Sequence, residues 1–119
     1  MSQDSTEHLH LNFVNGVAII SFTTPYLQAE DAIEKVGNEL FDLVKKWDCS
    51  KVLLTFDGVR FVSSSMLAQV VKLHKTLAKT KGRVRLCSLT PALREVLKAS
   101  QLDRLLEVFD DETAALAKY

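Results

Sequence analysis

The spacing of apolar residues predicts that the chain opens with a β-hairpin. Residues 8–14 alternate between apolar and polar side chains, as a half-buried strand does. The dipeptide Asn15-Gly16 follows, and it favours the tight turn between two antiparallel strands. The apolar segment 17–22 is then the partner strand. Residues 1–7 are polar and precede this pattern, so we expect a flexible leader before a single domain at residues 8–119.

After the hairpin, segments with the helical period alternate with apolar, strand-like segments. Helices are expected to begin near Asp31, at the serine run 63–65, at Pro91 behind the cap Thr90, and after Asp110. Their apolar residues recur three or four positions apart: Ile33, Val36, Leu40, Val44 and Trp47; Met66, Leu67, Val70, Val71, His74, Leu77 and Ala78; Leu93, Val96 and Leu97. Further strands are expected at residues 51–56 and 83–89, with a short strand or extended segment at 105–109.

This order of elements predicts an α/β fold. After the opening hairpin, strands and helices alternate, which favours a mixed sheet of about four to five strands with about four helices packed chiefly on one side. The run Val52-Leu53-Leu54 lacks alternation, which is typical of a strand buried on both faces. We therefore expect residues 51–56 at the centre of the sheet. A chain of 119 residues that is 47% hydrophobic can bury one core.

Charge and composition argue against several classes of protein. Fifteen basic and fifteen acidic residues balance, which argues against nucleic-acid binding. No apolar run approaches the roughly 18 residues that span a bilayer, and the N-terminus lacks an export signal, so we expect a cytoplasmic protein without direct membrane insertion. Cys49 and Cys87 fit no metal-ligand spacing and are expected to be reduced, with a disulfide as the less favoured alternative.

The residues that could support catalysis form no recognised pattern. His8 and His10 offer at most two zinc ligands. His74 would lie roughly 15 Å along one helix from Ser64, too far for a Ser–His pair. No nucleophile elbow or glycine-rich phosphate loop is present. We therefore expect no enzyme activity, no cofactor and no metal site.

Three consecutive hydroxyl groups stand where a strand gives way to the second helix. Ser63, Ser64 or Ser65 could accept an otherwise unpaired backbone N–H of the first helical turn, as a plain N-cap. The same geometry suits a phosphate on the hydroxyl, because several N–H groups and the positive end of the helix dipole favour negative charge. The residues alone leave both interpretations open.

A row of basic residues follows on the second helix and the next strand, comprising Lys72, Lys75, Lys79, Lys81, Arg83 and Arg85. A solvated polar face is the first interpretation. The second is a patch that binds an acidic protein surface, because the interleaved aromatic residues that would stack on bases are absent.

Three segments in this order resemble the STAS domain, the fold of anti-sigma-factor antagonists and of the cytoplasmic tails of sulfate transporters. Residues 58–67, Gly-Val-Arg-Phe-Val-Ser-Ser-Ser-Met-Leu, are similar to the family pattern G-V-x-F-[IM]-D-S-[ST]-G-L. The segment at 82–86 with its capped helix at Thr90, and the ending at 102–116, also resemble the family. The resemblance covers nearly the whole chain from about His8.

This resemblance implies a bacterial regulatory protein that is switched by phosphorylation. In the family, a kinase that doubles as an anti-sigma factor phosphorylates the serine after the motif's aspartate, which is Ser64 here, with Ser63 and Ser65 as alternates. The unphosphorylated domain binds this kinase, and a phosphate of about −1.5 to −2 charge disrupts the interface. A homodimer is an additional option. The expected partner surface comprises Asp57, Arg60, Ser63, Ser64, Ser65, Met66 and Gln69.

The chain departs from the family pattern at three positions, and two of these departures, Ser63 and Met66, favour an alternative function. Ser63 replaces the motif's aspartate, Met66 replaces its glycine, and Thr55 stands where the family often has an acid, although Asp57 follows two residues later. Met66 could be core or a hydrophobic contact for a different partner. The alternative is a constitutive STAS binding module, such as a subunit of a lipid- or solute-transport ATPase or a signalling scaffold.

Overall fold

The computed structural model describes residues 3–27, 30–117 and 119. Its strands are β1 (Gln3–Ser5), β2 (Leu9–Val14), β3 (Val17–Phe22), β4 (Tyr26–Leu27), β5 (Lys51–Thr55), β6 (Phe61–Val62), β7 (Arg83–Cys87) and β8 (Glu107–Phe109). Its helices are α1 (Glu30–Lys46), α2 (Ser64–Ala78), α3 (Pro91–Ala99) and α4 (Glu112–Leu116), with a short 3-10 turn at Leu102–Arg104.

Six of the strands form one mixed sheet in the order β1-β2-β3-β5-β7-β8. The first three are antiparallel neighbours, and the pairs β3–β5, β5–β7 and β7–β8 are parallel. Strand β5 therefore lies in the interior of the sheet, which confirms the position predicted for residues 51–56. The mixed α/β fold is also confirmed, with β4 and β6 forming a separate two-stranded parallel ladder.

The chemistry of single residues explains two of the predicted connections. Asn15 and Gly16 both have positive φ, 50° and 81°, as the tight turn between β2 and β3 requires, and the hairpin is confirmed. At the start of α3, the Thr90 hydroxyl accepts the N–H of Leu93 at 3.2 Å, and Pro91 is the first helical residue.

The N-terminal segment differs from the flexible leader that we expected. Gln3–Ser5 forms β1, an edge strand antiparallel to β2. The Asp4 carboxylate accepts hydrogen bonds from Lys46 Nζ at 2.8 Å and Trp47 Nε1 at 3.0 Å, and these bonds lower the pKa of Asp4 to about 2. Polar residues are ordered here by contacts with the end of α1, which lies far away in sequence. Residues 1 and 2 lie outside the described residues.

Helices α1, α2 and α3 cover one face of the sheet and form the main core with it. This arrangement confirms the prediction that the helices pack chiefly on one side. Fully buried aliphatic residues come from both layers, among them Leu11, Ile20, Val36, Leu40, Leu54, Val70, Leu73 and Leu86. Three residues assigned to apolar helical faces lie outside the core: Trp47 follows the end of α1 and packs edge-on against Phe13, Val96 is 43% exposed, and Ala78 is exposed.

The opposite face is covered only in part, by α4. Its smaller cluster contains Val17, Ile19, Leu53, Cys87 and Ala115. Cys49 and Cys87 are both free and buried, which confirms the favoured prediction of reduced cysteines, and burial raises the pKa of both thiols. Arg85 was placed in the exposed basic row, but it is only 6% exposed and lies beneath α4.

Candidate functional site

A short parallel ladder holds the segment that leads into α2. Gly58, with φ 83°, turns the chain after β5. The N–H of Arg60 then donates to the Pro25 carbonyl at 2.7 Å, and the N–H of Ser63 donates to the Leu27 carbonyl at 2.8 Å. These bonds keep the chain extended up to the serine run. The strand-to-helix junction predicted there is confirmed.

Ser63 caps helix α2. Its backbone is extended, with φ −76° and ψ 163°, and its Oγ accepts the N–H of Met66 at 3.2 Å. Ser64 follows as the first helical residue and is exposed, whereas Ser65 is half-buried. The predicted serine cap is therefore confirmed, and the capping residue is Ser63. Ser64 was expected just before the helix, but it lies in the first turn.

The position of Ser64 suits a negatively charged group. The exposed Ser64 hydroxyl makes no hydrogen bond to any residue that the structure describes. The first turn of α2 contains no acidic residue that would repel an anion. Because the unpaired N–H groups and the helix dipole concentrate positive potential here, a phosphate on Ser64 would be electrostatically favoured.

Met66 does not belong to an exposed surface. Its side chain is 0% exposed and is part of the main core. The expectation that Met66 contacts a partner is therefore wrong, and the core role, which was the other option, holds. A flexible thioether fills the space beneath the start of α2, where the family pattern has glycine.

The remaining members of the predicted partner surface point in different directions. Gln69 packs on α1 over Gly37, where a Cβ would lie 2.6 Å from its Oε1, so a larger residue at position 37 would displace the Gln69 side chain. Gln69 and Ser65 line a cavity of about 590 Å³ between α1 and α2. Asp57 lines a separate cavity of about 400 Å³ with residues of β2, β3 and β5. Arg60 is exposed and precedes Ser63 by three residues in the sequence.

An apolar groove beside Ser64 was not predicted from the sequence. It lies between α2 and α3, has a volume of about 350 Å³, and is lined by Ser64, Leu67, Ala68, Val71, Val96, Ser100 and Leu102. The periodic pattern placed Val96 in the core with Leu93 and Leu97. In the sequence, the groove was indicated only by the position of Val96 at the edge of that apolar stripe.

Two exposed aromatic residues lie on the ladder that precedes α2. Tyr26 and Phe61 are 51% and 45% exposed, and they are register partners in strands β4 and β6. Phe61 alternates with the buried Val62, and this alternation could have identified it as outward-facing. Ser64 therefore lines an apolar groove and follows an exposed aromatic residue, Phe61, by three positions in the chain, and exposed apolar groups of this kind favour a protein-binding surface.

The described residues show neither a metal centre nor a membrane span. Within residues 3–27, 30–117 and 119, no cluster of three or more His, Cys, Asp or Glu side chains could hold a metal ion. In the same part of the chain, no helix is long and apolar enough to cross a membrane.

Comparison with known proteins identifies the family. The model of the STAS domain matches residues 11–115, and the chain belongs to the STAS family. The chain is 21% identical over 85 residues to the anti-sigma F factor antagonist of Paenibacillus polymyxa, which covers 71% of this chain and 73% of the relative.

Solved structures show the same fold. The anti-sigma-factor antagonist (STAS) domain protein from Planctomyces limnophilus aligns with a TM-score of 0.82 and 25% identity, over 95% of this chain and 98% of that one. The Bacillus cell fate determinant SpoIIAA in its phosphorylated form aligns with a TM-score of 0.66 and 20% identity, over 89% of this chain and 95% of that one. Several proteins similar to this chain, among them these relatives from Paenibacillus polymyxa and Planctomyces limnophilus, are named as anti-sigma-factor antagonists.

Proposed function

We propose that this protein is an anti-sigma-factor antagonist, a non-catalytic regulator of the cytoplasm that binds an anti-sigma factor with serine kinase activity. Phosphorylation of Ser64 switches this binding off. The observation that carries the proposal is the exposed hydroxyl of Ser64 in the first turn of α2, in the lining of the apolar groove. The relatives named as anti-sigma-factor antagonists support the same class of partner.

A phosphate at Ser64 would change the surface more than it changes the fold. The hydroxyl is exposed and the cap belongs to Ser63, so the modification leaves the start of the helix intact. It would add about −1.5 to −2 charge to the lining of the apolar groove. A partner that covers the groove would have to desolvate that charge, which weakens binding.

The departures from the family pattern are compatible with such a switch. Ser63 stands where the family has aspartate, and serine and aspartate are both strong N-caps, so the junction keeps its geometry. Met66 is buried and leaves the exposed surface unchanged. Both observations reduce the support for a constitutive module.

The test is a pull-down from native cells with mass spectrometry, followed by phosphopeptide mapping with the recovered kinase and ATP. We expect a kinase-like ATPase as partner, a dominant phosphate on Ser64, and loss of most labelling in Ser64→Ala. Ser65→Ala is the matched control, because it removes a neighbouring hydroxyl of the same helix start, and it should keep the label.

Three results would contradict this proposal. A dominant phosphate on Ser63 or Ser65 would refute the assignment of Ser64. Recovery of a transport ATPase would favour the constitutive module. Equal affinity of the partner for wild type and Ser64→Asp would argue against a charge-based switch.

A further inference from the structure

The groove between α2 and α3 is apolar although it is open to solvent. Leu67, Ala68 and Val71 line it from α2, and Val96 and Leu102 line it from the opposite side. Among the described residues, its polar side chains are the hydroxyls of two serines, Ser64 and Ser100. An open groove with such an apolar lining is a candidate site for the apolar side of a ligand.

Helix α2 continues beyond the groove with positive charge only. Its 15 residues include two lysines and no aspartate or glutamate. Ser64, Ala68, Val71 and Lys75 repeat at the three- and four-residue spacing that keeps side chains on one helix face. Lys75 therefore lies on the groove side of α2, beyond its apolar part. The exposed Lys75 forms no ion pair with any described residue.

The neighbouring lysine of α2 points to another side. The Nζ of Lys72 lies 5.5 Å from the ring centroid of Phe41, on α1. Lys72 also lines the cavity between α1 and α2 and not the groove between α2 and α3. The lysines of the basic row thus lie on different sides of α2, and Lys75 is the one on the groove side.

The dimensions of this surface select the kind of ligand. From Ser64 to Lys75 the helix rises about 16 Å, at 1.5 Å per residue. A ligand that covers the groove along α2 from Ser64 and also reaches Lys75 is elongated, with an apolar side and a negative charge toward one end. A helix of about 12 to 15 residues has this length, and docking an amphipathic helix in an apolar groove is a common mode of recognition.

We propose that the α2–α3 groove and Lys75 together bind one amphipathic helix of the partner protein, whose carboxylates lie against Lys75. This inference rests on the proposed function for the existence of the partner. Ser64 lines the groove at the end far from Lys75. A phosphate there would repel an acidic helix and place a charge at the apolar part, so phosphorylation and helix binding should oppose each other.

The test uses the full chain and synthetic peptides, with fluorescence anisotropy as the measurement. The probe is a labelled peptide of about 18 residues with leucines at helical spacing and glutamates toward one end. A second peptide carries lysine for each glutamate, and a third carries a central proline, which breaks the helix. We expect the acidic peptide to bind at least about tenfold more tightly than either of the others.

Two pairs of variants locate the binding site. Val96→Asp and Lys75→Glu should each raise the Kd of the acidic peptide about tenfold. Leu105→Asp is the control for the first, since Leu105 is similarly exposed at 40% and does not line the groove. Lys72→Glu is the control for the second, because it makes the same charge change on the same helix. Both controls should leave the Kd within about twofold, and circular dichroism confirms that each variant is folded.

Some results would overturn this inference without affecting the proposed function. They are equal affinity for the acidic and basic peptides, no detectable binding of the acidic peptide, or an unchanged Kd in folded Val96→Asp. The opposite outcome is also distinguishable. If the acidic peptide binds and both pairs of variants behave as expected, the assignment of the groove stands. If at the same time no kinase modifies Ser64, the proposed phosphorylation switch is wrong.

Discussion

The two faces of the central sheet are stabilised in different ways. On one face, α1, α2 and α3 bury a large set of aliphatic side chains, which include Leu40, Leu54 and Leu73. On the other face, the five-residue α4 covers part of the sheet with a smaller apolar cluster and with hydrogen bonds from Arg85. Burial of apolar area therefore dominates the stability of the first face, whereas the second combines a smaller buried apolar area with specific hydrogen bonds.

Arg85 is the centre of the polar contacts on the second face. Its Nη1 donates to the carbonyls of Ala115 at 2.8 Å and Ala117 at 3.1 Å. Its guanidinium lies 4.8 Å from the ring centroid of Phe109 and 4.3 Å from that of Tyr119. A buried charge is tolerated only when such partners replace water. Arg85, a residue of strand β7, thus holds the C-terminal end of α4 by hydrogen bonds.

Tyr119 makes further hydrogen bonds near the start of β5. The N–H of Val52 donates to its phenolic oxygen at 3.0 Å. The hydroxyl can donate to the Val52 carbonyl at 2.6 Å or to the Arg83 carbonyl at 2.7 Å, so one proton serves two acceptors. A change on this face should loosen the C-terminal segment, whereas a change in the main core should destabilise the whole domain.

The largest expected effect is a cavity in the main core. Leu54→Ala in β5 should lower the free energy of unfolding by about 3 kcal/mol, because the strand lies between two packed layers and cannot collapse around the space. Urea denaturation measures this. Leu105→Ala, at an exposed leucine, should cost less than about 1 kcal/mol. Equal costs for the two variants would contradict the main core described here.

Removal of the buried guanidinium should have the next largest effect. Arg85→Ala leaves the carbonyls of Ala115 and Ala117 without their donor and should cost about 2 kcal/mol. It should also expose the Cys87 thiol beneath α4 to alkylation before global unfolding. The control is Arg83→Ala, which removes a surface ion pair with Glu107 and should cost about 0.5 kcal/mol. Unchanged alkylation of Cys87 in Arg85→Ala would show that Arg85 does not hold α4 in place.

The third effect depends on pH. Burial raises the pKa of Tyr119 from 10.0 to about 12, although the hydrogen bond with Val52 and the neighbouring arginines lower it in part. The folded protein therefore favours the neutral phenol. This contribution to stability is complete below pH 10 and is lost as the pH rises through 12.

Tyr119→Phe tests this contribution. At neutral pH it should cost about 1 kcal/mol, because the Val52 amide loses its acceptor. Between pH 10 and pH 12 the wild type should lose more stability than the variant, since only the wild type carries this phenol. Parallel pH profiles of urea denaturation would contradict the role assigned to the buried hydroxyl.

Local chemistry explains which parts of the fold could be predicted from the sequence. The turn at Asn15-Gly16 and the cap of α3 at Thr90 depend on the conformations and hydrogen bonds of a few neighbouring residues. Strand β1 could not be predicted, because Asp4 gains its partners from the end of α1. Trp47 and Val96 were misplaced because a helical stripe does not show where tertiary packing ends.

The candidate site was predictable to the same extent. The spacing of apolar residues predicted the helix start and the family register selected Ser64, but neither could separate the capping serine from its neighbour, because helix boundaries are uncertain by one or two residues. The groove could be predicted only by knowing that α2 and α3 are neighbours in the fold. The apolar periodicity within each helix does not show which helices lie side by side.

The smallest expected effect separates the two serines at the start of α2. Ser63→Ala removes the acceptor for the Met66 N–H and should cost about 1 kcal/mol. Ser64→Ala removes an exposed hydroxyl and should change stability by no more than about 0.5 kcal/mol. Urea denaturation of the two single variants measures the difference, and each is the control for the other. If Ser64→Ala were the more costly, Ser64 would be the structural residue of the pair, and its hydroxyl would be unsuited to a switch that must leave the fold unchanged.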